Sequence, residues 1–246
     1  MCFTKEVFTE LCHLLEPDLQ PQRRVRMMLP VARKVTMELN LFASESFQAR
    51  TSNLSHILQF AVYCCIREET KALHARRRDF IMFFLNREKQ AEHARGFARI
   101  AGFLMVQGTI NNTLCRHHVS MVRCIANYKG YHLLNMQLLW DRAQHIMLVK
   151  AHYPGSSHDA CIWCPSTVPS ISQPPCQTRE WLFGDRGYPN YNWLMTPLCN
   201  PNTCGQPMYN ENHAAMRKVI EQTIGVLQSW SHCLNCCGGA LRYSLE

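Results

Sequence analysis

His132-Leu133-Leu134-Asn135-Met136-Gln137-Leu138-Leu139-Trp140-Asp141, then Arg142-Ala143-Gln144, then Ile146-Met147-Leu148-Val149-Lys150-Ala151-His152 reads as two apolar strands joined by a tight turn. Upstream, Phe103 to Ile110 predicts another strand just past Gly102. Downstream, Pro154-Gly155-Ser156-Ser157 is a turn handing over to a helix that opens at His158, with Ser157 as its cap. Trp181-Leu182-Phe183 makes a fourth short strand ending at Gly184-Asp185. Asn210 to Trp230 is helical, with Met216, Val219, Ile220, Ile224 and Leu227 on one side. The order strand, strand, strand, helix, strand, loop, helix predicts an α/β domain over residues 101–246.

Residues 1–100 follow a different grammar, that of helices. Thr4 can cap a helix carrying Val7, Phe8, Leu11, Leu14 and Leu15, with Pro17 marking its end. Pro30 stands at the first turn of a second helix with Val31, Val35, Met37, Leu39 and Leu41, closed before Ala43. A third runs from a cap at Ser52 or Asn53 through Ile57, Phe60 and Ile66 toward Leu73. Short helices on short polar turns suit a helix-turn-helix module and equally a plain helical bundle.

With 246 residues and 47% hydrophobic content, the chain can bury a sizeable core and is no disordered tail. The longest apolar runs, Phe60 to Ile66 and Phe80 to Leu85, fall far short of a membrane span. Residues 1–10 hold no apolar signal core, so a reducing compartment is expected, with the 14 cysteines as free thiols. The net charge of +8 favours an anionic partner, nucleic acid first. There is no Gly-rich phosphate loop and no Gly-x-Ser-x-Gly elbow, which argues against an NTPase or an esterase.

Beyond residue 100 lie only seven acids: Asp141, Asp159, Glu180, Asp185, Glu211, Glu221 and Glu246. Metal-dependent phosphodiester hydrolysis needs carboxylates converging from separate elements, because hard cations take oxygen ligands. Asp185, at a strand end, and Glu221, inside the last helix, are placed for that. The bland alternative is a turn-capping Asp185 and a solvated Glu221.

Several ordered motifs carry a family resemblance. They are Lys129-Gly130-Tyr131-His132 into Asn135-Met136-Gln137, Pro154-Gly155-Ser156-Ser157-His158-Asp159, Gly184-Asp185-Arg186-Gly187-Tyr188-Pro189, Trp193-Leu194-Met195-Thr196-Pro197, and Tyr209-Asn210 with His213, Arg217 and Ile220-Glu221. Together they resemble the Harbinger transposase-derived nucleases of the DDE superfamily. Phe42-Ala43-Ser44 and Gly96-Phe97 before Ile100-Ala101-Gly102-Phe103 extend the likeness upstream, so it covers nearly the whole chain. The resemblance implies an RNase H-like mixed sheet flanked by helices, preceded by the all-helical region, in which acids bind Mg²⁺ or Mn²⁺ for attack of water on DNA. Asp185 matches the second acid, Glu221 the third, and Asp159 a recurring position that touches metal or orients its neighbours. It also implies nuclear localisation, possible cytoplasmic presence, and a separate Myb-like DNA-binding partner.

Three departures stand against an intact site. Where the family carries its first acid, the matching segment is read as Val106-Gln107-Gly108-Thr109, with Gln107 in the acid's place. A neutral amide there would weaken cation binding and impair hydrolysis, with Asp141 as the nearest substitute. Asn111-Asn112, Cys115 and Arg116-His117-His118 replace a Pro-containing segment, and the family continues into a further helix past Glu246. Two functions remain open: an impaired metal-dependent DNA endonuclease, or a non-catalytic DNA-binding or adaptor protein. Arg76-Arg77-Arg78 could meet phosphates or simply end a helix, and Cys161-x-x-Cys164 and Cys233-x-x-Cys236 have zinc-compatible spacing without further support.

Overall fold

The computed structural model describes residues 4–20, 29–44, 51–53, 56–81, 87–117, 132–163, 181–189 and 191–234. These fall in two compact units, Met1–Phe80 with Gln228–Leu241, and Ile81–Leu227 with Arg242–Glu246.

The first unit is helical. α1 (Lys5–Leu19) is capped by the Thr4 hydroxyl, which accepts from the Val7 N–H at 3.4 Å. Pro17 does not end it; the helix runs two residues further, since a proline in the last turn removes a single N–H bond. α2 (Val31–Ser44) starts after Pro30 and continues through Ala43 and Ser44. The third expected helix is broken: residues 51–53 are helical, His56 takes a φ of 52°, and α3 (Gln59–Ala75) starts afresh. Leu15, Leu19, Val35 and Ala72 form the core.

Three ionisable side chains are buried with it. Lys34 donates to Leu19 O at 3.3 Å and to Glu68 at 2.9 Å, while Glu38 and Glu69 are 3% and 0% exposed. Burial pushes the Glu38 carboxyl up to about 7; burial, then the neighbouring Glu38, pushes Glu69 up to about 9. Two carboxyls buried side by side retain a proton in preference to carrying two charges. After α3 comes the short α4 (Arg77–Phe80).

In the second unit, α5 (Arg87–Ala101) precedes a five-stranded sheet ordered β3-β2-β1-β4-β5. The sequence places α5 in the N-terminal region, yet it belongs here because Phe97, 2% exposed, packs with Val106, Phe183 and Met216. β1 (Val106–His117), β2 (His132–Trp140) and β3 (Ile146–Pro154) form an antiparallel meander. β4 (Trp181–Phe183) runs parallel to β1, and β5 (Leu194–Met195) parallel to β4. This is the RNase H-like mixed sheet, with α6 (Asp159–Trp163) after β3 and α7 (Gly205–Trp230) after β5.

β1 departs from the expected 103–110. Residues 103–105 are a turn, with Met105 at a φ of 62°, and the strand continues through polar Asn111, Asn112 and Thr113. Position 108 must be glycine, since a Cβ there would lie 2.5 Å from Met147 Cε and 2.8 Å from Trp140 O. One side of the sheet is packed by Ile110, Leu139, Met147, Leu182, Tyr188 and Leu194; the other holds Phe183 against Met216 of α7. Phe183 is fully buried, so Phe183→Ala is worth about 3–5 kcal/mol. Among the described residues no helix is long and apolar enough to cross a membrane, and Cys12, Cys64, Cys65, Cys115, Cys161, Cys199 and Cys204 are free thiols.

Candidate functional site

Asp185 directly follows Gly184 at the end of β4, where Gly184 N–H donates to Met195 O at 2.9 Å. Its Oδ1 accepts from Arg217 Nη1 at 2.6 Å, and Arg217 Nη2 donates to Glu221 Oε1 at 2.8 Å. One guanidinium therefore joins the strand-end acid to the helix acid. Arg217 and Glu221 are four residues apart on α7 and so share its face. The site is open: the side chains of Asp185, Arg217 and Glu221 are 31%, 28% and 55% exposed.

The earlier part of α7 fixes that helix to the sheet. Tyr209 donates to Thr196 O at 2.9 Å, and the Asn210 amide clasps both N–H and C=O of Leu198 at 2.9 Å. His213, 1% exposed, donates from Nε2 to Met195 O at 3.2 Å and sets its ring edge-on to Phe183. Burial lowers the His213 pKa below the usual imidazole range, so the ring is a neutral strut. Tyr209, Asn210 and His213 thus anchor the helix, and Arg217 and Glu221 form the site.

Gln107 is not beside these acids. It sits in a register shift between Val106 and Gly108, level with Trp181 at the start of β4. Thr109 pairs with Phe183 in the last paired couple of the two strands, and Asn111 and Asp185 each follow that couple by two residues. Gln107 lies four residues back, about 13 Å along the strand. The register shift at Val106 and the late start of β1 set Gln107 back from the level of Asp185. Asp141 is no substitute. It follows Trp140, the partner of Thr109, and its buried carboxylate binds His145 N at 2.7 Å and Nδ1 at 2.9 Å in the β2–β3 turn.

Asp159 joins another network. Its Oδ1 accepts from Asn112 Nδ2 at 2.5 Å, Asn112 Oδ1 accepts from Tyr188 at 2.7 Å, and Gln137 Nε2 reaches the same phenol at 3.5 Å. Asn112 alternates with Asn111 along β1, which puts this network on the face opposite Asn111. Burial drives the Tyr188 hydroxyl pKa upward, keeping it a donor. Gly187 packs on Asp159, where a Cβ would lie 2.6 Å from Oδ2. Asp159 thus contacts Asn112 of β1 and the turn that follows Asp185.

Of the other candidates, Arg76 pairs with Asp18 at 2.6 Å and Arg77 donates to His74 O at 2.9 Å, closing α3. Cys161 is exposed on α6, and Cys164 and Cys236 lie outside the described residues. Sequence reasoning listed Arg217 only as part of a motif and gave Asn111 no role. The i, i+4 spacing of Arg217 and Glu221 on a predicted helix was the available signal for the first.

A divalent-metal pair that cleaves phosphodiesters needs several anionic oxygens shared between ions about 4 Å apart. Here the two acids are taken by Arg217, and among the described residues no three His, Cys, Asp or Glu side chains gather as a metal would require. This donor set does not fit such a pair.

A family model described as DDE superfamily endonuclease matches residues 113–245. "Putative nuclease HARBI1" of Homo sapiens is 31% identical over 250 residues, spanning 99% of this chain and 70% of that protein. The protein of that name from Xenopus laevis is 26% identical over 247 residues, spanning 99% and 71%. Among solved structures, a chain of "Crystal structure of the Mos1 Strand Transfer Complex" aligns at 12% identity and a TM-score of 0.26, covering 100% of this chain and 76% of its own. The chain belongs to the DDE superfamily endonucleases, as a Harbinger transposase-derived nuclease relative.

Proposed function

We propose that this chain is a DNA-directed member of that family in which phosphodiester hydrolysis is impaired and DNA engagement persists. The observation that carries the reading is the Asp185–Arg217–Glu221 cluster, which unites a strand-end acid, a helix acid and an exposed guanidinium at one open edge. The net charge of +8 supports an anionic ligand. Mg²⁺ or Mn²⁺ is the cofactor class the family implies; the two-acid donor set supports weak use of it at most.

The non-catalytic reading, a DNA-binding or adaptor protein derived from a transposase, is favoured over a fully active endonuclease by the hold of Arg217 on both Asp185 and Glu221. A Myb-like DNA-binding partner and nuclear localisation, with a possible cytoplasmic pool, belong to the same reading.

Fluorescence anisotropy with duplex DNA across a salt series, together with nicking of supercoiled plasmid in Mn²⁺, tests it. The expected result is salt-sensitive DNA binding with nicking at or near background. Absence of DNA binding at low salt removes the reading; vigorous Mn²⁺-dependent nicking replaces it with an active endonuclease.

A further inference from the structure

The first strand of the sheet runs past the edge where Asp185 emerges, and what it offers there is Asn111. Three observations fix that level. Thr109 pairs with Phe183, so Asn111 and Asp185 are two residues on from a paired couple in parallel strands. Tyr188, in the turn after Asp185, bonds Asn112 at 2.7 Å, and Gly187 packs on the Asp159 that Asn112 also holds. The turn carrying Asp185 therefore lies against residues 111 and 112. By alternation Asn111 shares the side of Thr109, the paired partner of Phe183, and Phe183 packs on Met216 of α7. Arg217 and Glu221 reach Asp185 from that same helix.

Asn111 brings no charge to that place, and its amide oxygen turns back to accept the Asn112 N–H at 2.9 Å. Two carboxylates facing one guanidinium carry a net charge of −1; a third carboxylate would bring it to −2, which calls for a cation. We infer that Asn111 stands where a third carboxylate would complete the site, and that its neutral amide, not Gln107, leaves this chain without a divalent-metal pair. This rests on the family reading above.

The test uses the full chain and Mn²⁺ alone as probe, by titration calorimetry and by melting with and without the ion. Wild type and Gln107→Asp bind Mn²⁺ weakly and alike. Asn111→Asp binds at least about tenfold more tightly, as affinity follows the number of charged ligands. Its melting temperature falls below wild type without Mn²⁺, from carboxylate repulsion, and recovers when Mn²⁺ is added. Asn111→Ser, which supplies no charge, stays at wild-type affinity.

A gain in Gln107→Asp but not in Asn111→Asp overturns the inference. So does tight binding of two ions by wild type, or an Asn111→Asp chain that stays unfolded in Mn²⁺. Failure of the family reading shows separately, as loss of DNA binding by the wild-type chain in the anisotropy titration, which does not involve residue 111.

Discussion

Arg217 Nη1 lies 2.6 Å from Asp185 Oδ1, and its second nitrogen holds Glu221, so a single guanidinium ties together the two acids at the sheet edge. All three side chains are partly exposed, which limits each pair to about 0.2–1 kcal/mol and makes it salt-sensitive. Arg217→Gln is expected to lower the melting temperature by about 2–4 °C at low salt, for a loss of about 1 kcal/mol in a chain of this size. The difference shrinks at high salt. Melting curves at two salt concentrations check this, and an equal loss at both points to a packing role for the arginine stem.

Gly187 and Asp159 are coupled by contact. A Cβ at 187 meets Asp159 Oδ2 at 2.6 Å, so Gly187→Ala is expected to cost about 1–3 kcal/mol by overpacking. Asp159→Ala costs a similar amount by stranding Asn112. Because removal of the carboxylate also removes the clash, the double variant loses less than the two singles together. Denaturant unfolding of the four chains measures the cycle; strict additivity contradicts the contact.

The buried Glu38 and Glu69 make the helical unit sensitive to alkali. Their folded pKa values lie above the ordinary 4.5, at about 7 and about 9, so the folded state binds more protons than the unfolded one. That contribution is full below about pH 4.5 and is lost as pH rises through the folded values. Urea unfolding followed between about pH 5 and 9 is expected to show falling stability in wild type and a flatter profile in Glu69→Gln. Parallel profiles contradict a proton retained at the buried Glu69.

Much of this architecture is legible in the sequence. The apolar runs His132 to Asp141 and Ile146 to His152 give β2 and β3 nearly to the residue, and Trp181 to Phe183 gives β4, because buried strands concentrate apolar side chains. β1 misled for the same reason: its C-terminal half is Asn111, Asn112 and Thr113, whose polarity serves the networks at the sheet edge and hides the strand. β5, with two residues, is too short for any periodic signal. Asp185 and Glu221 were readable as a pair of acids at a strand end and on a helix. What joins them is not, since the β1–β4 pairing is a non-local register with a shift at Val106, and no local pattern reports which residue of one strand stands beside which of the other.

The most direct measurement is the anomalous scattering of Mn²⁺ in crystals of Asn111→Asp grown with the ion, beside wild type treated the same way. The account predicts Mn²⁺ in the variant within about 2 Å of carboxylate oxygens at positions 111 and 185, with Arg217 displaced from Asp185. In wild type that ion is missing and the Arg217–Asp185 contact is intact. Mn²⁺ bound near Gln107, or at Asp185 in both chains alike, would contradict it.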